Sequence, residues 1–580
     1  MTTLVPLTVA VPLLGAAALA ALGHFVTPRL ANLAAVAVAV AVAAMSVVLI
    51  FRSGDRTIHY WFGGWHPRAG IAIGISFSVD PFTAALAALV AVLAAAGLVQ
   101  TLQYFADDVP QHFHVLMLVF VGAMVGFALS SDLFNLFVFF ELMSTVAFAL
   151  TGYRIEHRAV LQGAINFAVV NSIGAFFLLF GIALVYARTG ALNLAQIGQV
   201  LSRHDPDGLV VLAFVLVLVG LLTKAGAVPF HFWLSDAYAV APAPVCILFA
   251  GIMSDLALHA VSRVYWSGFS GALDADSVRA ILISVGVVTA LIGAVMAFVQ
   301  SSLKRMLAFV TISHIGVFLC GIGLLTARGL AATTIYVIAD GLVKGAIFCA
   351  IGDLGSRLRH TDELILHGKG RSLPITGAVV AAGALGIAAV PPLGTFVAFG
   401  LLGDAAGTTG YGWLPPVLVV ATAITGGAVL RAAGRIFLGL GPRRDDLLVT
   451  PRAGEEEEAE PTRRRGTLLW TPAVLLLVTG LGVAFAPGLP ARAVQHAELL
   501  VDRPSLARET LHDVTAPVPP LRSVHVGAFA YAYGAASALL AVVAAWFGLY
   551  RRRLPAALLA AATTATARLG GRRVRCTLSF

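Results

Sequence analysis

The sequence predicts an all-α polytopic membrane protein with about 14 to 15 transmembrane helices and no sizeable soluble domain; three observations carry that reading. Hydrophobic residues fill 59% of the 580 positions and charged residues only 12%, against roughly 45–50% and about 25% in soluble domains. The apolar residues come in runs of about 20, long enough to cross a hydrocarbon layer. Basic residues gather between the runs and at the C-terminus, as in Arg463-Arg464-Arg465, Arg551-Arg552-Arg553 and Arg572-Arg573. No basic helix with interleaved aromatics is present, so the excess of 38 Lys+Arg over 29 Asp+Glu does not point to nucleic acid.

Runs at 4–22, 30–51 and 80–103 form an N-terminal block, 1–104. The first run lacks a basic lead-in and meets the second at once, so it is expected to be a retained span and not a cleaved signal peptide. Runs at 113–130, 132–152, 161–187, 208–227 and 243–265 make a second block, 113–265. A third, 277–437, holds runs at 277–300, 305–325, 329–354, 373–402 and 413–437. A charged loop follows at 438–466, then two further runs at 467–487 and 525–549 within 467–550, then a basic tail at 551–580. Pro, Gly or charge marks each join. The loop carries Glu455 to Glu458 shortly before its three arginines; a solvated linker is the first reading and a docking segment the second.

Lys and Arg set the expected orientation: with the N-terminus outside, Arg154, Arg158, Lys304, Arg305, Arg357, Arg359, Lys369, Arg371, the charged loop and the tail all fall inside. Cys246, Cys320 and Cys349 lie in apolar runs without a CxxC or Cys/His cluster, which argues against an iron–sulfur or zinc site. No redox cofactor is expected on this chain. Two runs contain proline where a helix cannot continue: Pro229, and the pair Pro391-Pro392. Each lies in the fourth helix of its five-helix block, the pattern of two inverted repeats each with a broken helix.

Ionisable residues inside apolar runs cost at least about 2.5–3.5 kcal/mol each, so each needs a reason. Glu141 and Lys224 stand alone in their runs; Asp255 and His259, and Asp340 and Lys344, share helix faces at i, i+4 spacing; His314 lies inside its run. Acid, base and imidazole on successive helices make the composition of a proton relay. A Glu141–Lys224 pair can act as a switch, both charged when together, with Lys224 releasing its proton when they part. The competing readings are a structural ion pair for Glu141 and Lys224, and packing hydrogen bonds for the others. Lys304 and Arg305 read as interfacial anchors.

These residues sit in recognisable wording. The motifs are Phe140-Glu141-Leu142-Met143; Lys224 through Leu234 in the wording KAGAVPFHFWL, with Asp236-Ala237-Tyr238; and Ala241-Pro242-Ala243-Pro244-Val245. Leu303 to Ala308, Ser313 to Gly316, Gly341 to Ala346 and Pro391 to Phe396 follow. Over roughly 110–400 the chain resembles the antiporter-like proton-channel subunits of respiratory complex I, Mrp-type multisubunit cation/proton antiporters and hydrogenase-4-type membrane complexes. The resemblance implies two inverted five-helix repeats, a midplane chain of polar residues and membership of a multisubunit complex in a bacterial cell membrane. It implies protons as cargo, with sodium as a further candidate, and places Glu141 and Lys224 on the family's paired glutamate and lysine. Lys304, His314 and Lys344 fall on positions that line or flank the second half-channel. Three positions depart from relatives: Asp255 stands where a lysine is common, Asp340 where many have histidine, and Phe399 where a lysine or glutamate is usual. The acidic residue in the 243–265 run and the Pro-Phe-His-Phe-Trp-Leu wording lean toward hydrogenase-4-like or D-like Mrp members. With Phe399 unable to carry a proton, a degenerate assembly subunit is the alternative, and a stand-alone permease a remote third.

Overall fold

The computed structural model describes residues 3–54, 56–105, 111–154, 156–203, 207–443, 466–514, 517–524 and 527–550. Most of the charged loop and the whole basic tail lie outside these residues. Among them, 14 helices are long and apolar enough to cross a membrane, from Leu4–Leu22 to Ala528–Tyr550. The chain is a multi-pass membrane protein. The count falls to the lower expected figure because the run at 373–402 is not one helix but two shorter ones, Pro374–Ile387 and Gly394–Thr408. Several helices outrun their apolar stretch, as Arg158–Thr189 does for the run at 161–187, since helical backbone continues into the polar flanks.

Helix starts follow local chemistry. Asp80 closes a capping box with Thr83 ahead of Pro81, and Asp132, Asn193, Asp207 and Asp274 each accept from backbone N–H groups of the first turn. Four elements escaped the apolar-run reading because they are short or polar. They are the hairpin Ile58–Trp61 with Ser76–Val79, and the helices Leu194–Leu201, Leu489–Val501 and Arg503–His512.

Both proline sites interrupt the helix. The first half-helix ends at Ala225, Gly226 turns with φ +79°, and the chain resumes as Phe232–Val240. Unpaired backbone is costly away from water, and here side chains from elsewhere satisfy it. Trp233 Nε1 donates to the Thr223 carbonyl at 3.0 Å, and Val228 N donates to Thr289 Oγ1 at 3.1 Å. At the second break Thr395 Oγ1 donates to the Gly386 carbonyl at 2.6 Å and Ser537 Oγ to the Ala388 carbonyl at 2.6 Å.

Burial is uneven. The apolar windows of Ala243–Phe269, Leu303–Gly323 and Ala327–Leu358 are buried over 94%, 100% and 94% of their length, against 28% to 33% for the first two and last two spans. Three central helices therefore form the interior, and the outer spans leave rows of Leu, Val and Phe exposed to lipid. Glycine sets the closest approach. A Cβ on Gly316 would lie 2.2 Å from Ala290 N and 2.5 Å from the Gly286 carbonyl oxygen, both backbone atoms. Small residues at such crossings let membrane helices touch. Gly316→Val should therefore separate Ala275–Val299 from Leu303–Gly323 and cut the amount of folded protein in membranes by more than half; wild-type abundance by immunoblot would show the contact is not required.

Candidate proton-relay site

Two clusters of ionisable side chains occupy the interior. The first centres on Lys224, the penultimate residue of Gly208–Ala225, whose side chain is fully buried. Its Nζ donates to Ser144 Oγ at 2.8 Å and lies 5.3 Å and 5.5 Å from the ring centres of Phe140 and Phe167. Aromatic faces attract an ammonium, so this is a partial cage for a cation. Phe167 is in turn stacked on Trp233 at 4.2 Å, which ties the cage to the helix break.

Glu141 is in electrostatic reach of Lys224 but does not form a direct ion pair with it among the described contacts. Ser144 is three residues after Glu141 on the same helical face, and its hydroxyl takes the lysine's hydrogen bond. In this structure the lysine's hydrogen bond goes to Ser144, with Glu141 close enough to be felt as a charge. Ser144 was not singled out because a serine in an apolar run is unremarkable until its partner is known. Glu141 is only partly buried and borders the outward face that carries Phe134, Val138 and Thr145.

The second cluster joins three helices. Lys344 Nζ lies 2.8 Å from Asp340 Oδ2 and 3.7 Å from Asp255 Oδ2, and Asp340 Oδ1 lies 2.8 Å from His314 Nδ1. All four side chains are at most 2% exposed. Two carboxylates and one lysine, with a histidine that can take or give a proton, form a continuous charged string His314–Asp340–Lys344–Asp255. The Asp255 turn follows directly on a π-helical segment, Phe249–Met253, a distortion that often accompanies functional residues.

Two sequence expectations change here. Asp255 pairs with Lys344, while His259, one turn further on along the same face, lies toward Arg263 and Asp80. Lys304 is no interfacial anchor. It is 2% exposed and donates to the Ala241 carbonyl at 3.2 Å, because the segment after the first break folds over it. Arg305 pairs with Asp236 at 3.0 Å. Phe399 is buried against Tyr336, ring centres 6.4 Å apart.

Between the clusters lie the hydroxyls of Tyr238 and Ser254, both buried and within reach of each other, with no further hydrogen-bond partner. Tyr238 packs on Phe249, which touches Phe167 of the Lys224 cage, and is within reach of the Asp255 charge. Among the described residues no group of three or more His, Cys, Asp or Glu side chains could hold a metal ion.

Broken apolar helices with charges buried at and beside the breaks define a membrane protein of the antiporter type. The family described as NADH:quinone oxidoreductase/Mrp antiporter, TM, matches residues 130–425, and the chain belongs to it. It is 29% identical to NADH-quinone oxidoreductase subunit N of Desulforudis audaxviator (strain MP104C), over 73% of this chain and 83% of that one. It is 26% identical to a Na(+)/H(+) antiporter subunit of Bacillus subtilis (strain 168), over 83% and 93%. In the solved Mrp complex from Dietzia sp. DQ12-45-1b, one chain superposes with a TM-score of 0.76 at 28% identity, covering 88% of this chain and all of that chain.

Proposed function

We propose that the protein is a proton-translocating, antiporter-like subunit of a multisubunit complex in a bacterial cell membrane, of the complex I, Mrp antiporter or hydrogenase-4 type. Protons pass between Glu141, Lys224, Asp255, His259, His314, Asp340 and Lys344, in two inverted five-helix repeats spanning 113–265 and 277–437. The observation that carries the reading is the pair of buried charged clusters with the Tyr238 and Ser254 hydroxyls between them. Buried polar groups normally have all their hydrogen bonds made; two hydroxyls with capacity left over are a place where water can complete a hydrogen-bonded path.

Partner subunits are supported by Glu141. A carboxylate bordering a lipid-facing surface is unfavourable, so the Phe134–Val138–Thr145 face is suited to cover by another membrane protein of the complex. The relatives named above are themselves subunits. Phe399 favours a second reading, an assembly subunit without a proton path of its own. Glu141→Gln separates the two. For a relay, the neutral isostere lowers proton flux through the assembled complex about 100-fold; for a scaffold, flux and assembly both stay at the wild-type level.

A further inference from the structure

A third buried cluster lies at the opposite end of the central helices from Lys304. Asp80 caps Pro81–Tyr104 with one oxygen and meets Arg263 Nη1 with the other at 2.5 Å. Both side chains are nearly inaccessible, 5% and 7% exposed. At the other end of the same two helices Tyr104 Oη accepts from Ala243 N, beside the Ala241 carbonyl that holds Lys304. With Lys304 facing inward, as the distribution of basic residues requires, the Asp80–Arg263 pair faces outward.

Two histidines stand within electrostatic reach of this pair, His259 from the same helix as Arg263 and His59 from the hairpin that covers it. Both ring nitrogens of His59 and Nε2 of His259 are buried without a hydrogen-bond partner, as is Arg263 Nε. A helix cap and an ion pair would be complete without either imidazole, and burying unpaired polar nitrogens costs stability. Beside His259 and Arg263 is a cavity of about 10 Å³ whose polar lining is His259, Ser262, Arg263, Trp266 and Ser267, enough for one water; His59 lies on the hairpin, paired in register with Ser78, two residues before Asp80. His259 is also four residues from Asp255 and four from Arg263, so it stands about 6 Å along the axis from each. Burial and the nearby guanidinium hold the His59 imidazole down at about 4. At neutral pH that ring is uncharged, with one nitrogen able to accept a proton while the other gives one up.

On the other side of the Asp255 cluster the polar groups end at the Tyr336 hydroxyl. His314 is followed by Tyr336, and Tyr336 by Phe399, which offers no polar atom. We propose that the proton path opens to the outer surface along Ala243–Phe269, from Asp255 to His259, through one water to the Asp80–Arg263 pair and on to His59, and not through the helix that carries Phe399. The proposal rests on the relay described above and names its outer port. Each transfer moves a proton between neutral or paired groups and needs no co-reactant.

The test uses the assembled complex in sealed liposomes, with protons driven by an imposed potassium diffusion potential and read by a trapped pH dye. His259→Asn and His59→Asn keep a polar, hydrogen-bonding side chain but cannot pass a proton. Each is expected to lower flux about 100-fold at normal abundance, while Asp404→Asn, on the Phe399 helix, leaves flux unchanged. Wild-type flux in both histidine variants alongside a silent Lys224→Ala complex overturns the port and leaves the relay standing. Loss of flux in Asp404→Asn overturns it too. Wild-type flux in Lys224→Ala removes the relay itself. Should the histidine variants not assemble, diethyl pyrocarbonate added outside the unmodified complex decides. An adduct on His59 or His259 with loss of flux supports the port; an adduct without loss, or no adduct, refutes it.

Discussion

Replacing Lys224 by alanine is expected to abolish proton-linked transport by the assembled complex, a loss of about 100-fold or more, while membrane abundance falls by less than half. The side chain is wholly enclosed, with Ser144 Oγ 2.8 Å from its ammonium and two aromatic rings as its other neighbours. Nothing else in that cage can carry a proton except Ser144, whose hydroxyl does not ionise in the accessible range. Charge alone should not rescue the site. Lys224→Arg keeps a cation that cannot be deprotonated in a protein, so it should be as silent as alanine, and Lys224→Met, which keeps the volume, should be silent too. Flux through reconstituted complex, normalised to immunoblot, measures all three. Transport at the wild-type rate in any of them would remove Lys224 from the path.

Asp340→Asn should have the next largest effect, because it breaks two contacts at once. Lys344 would keep only Asp255, at 3.7 Å, and His314 would lose the carboxylate 2.8 Å from its Nδ1. Removing one partner of a buried ion pair typically costs about 3–5 kcal/mol, so the thermal midpoint of the purified protein should drop by several degrees and transport should cease. A triple variant tells stability from conduction. Asp340→Asn with Lys344→Met and Asp255→Asn removes every charge that Lys344 holds together, and such whole-cluster replacements are often neutral or stabilising. It should regain the midpoint but not the flux. If the single variant transports normally, the His314–Asp340–Lys344–Asp255 string is structural only.

How much was legible in the sequence differs by level. Spans such as 4–22 and 208–227 could be read almost to the residue, because lipid demands an uninterrupted apolar stretch and the chain records that demand locally. The breaks at Pro229 and Pro391-Pro392 were legible for the same reason, since a ring without an N–H acts on its own turn of helix. Short polar elements were not. The hairpin at Ile58–Trp61 is too short to show a period, and the helix Leu489–Val501, though its buried Ala493, Val494, Ala497 and Leu500 recur at helical spacing, is too polar to stand out as a span.

For the candidate site, residue identity was legible and partnership was not. A buried Glu, Lys, Asp or His stands out in an apolar run wherever it points, so Glu141, Lys224, Asp255, His259, His314, Asp340 and Lys344 could all be named. Asp80, Arg263 and His59 could not, since each sits at a span end where charge is ordinary. Spacing along one helix tells which residues share a face but not which face meets which neighbour. The sequence by itself determined the membrane class, the number and places of the spans, and which residues carry charge into the interior. Only the tertiary structure decided that Lys224 bonds Ser144, that Asp255 turns to Lys344 while His259 lies toward Asp80 and Arg263, and that Lys304 is enclosed. The reason is physical: desolvation is felt by each residue separately, whereas a hydrogen bond or ion pair exists only when two helices, distant in the chain, are packed at a particular rotation.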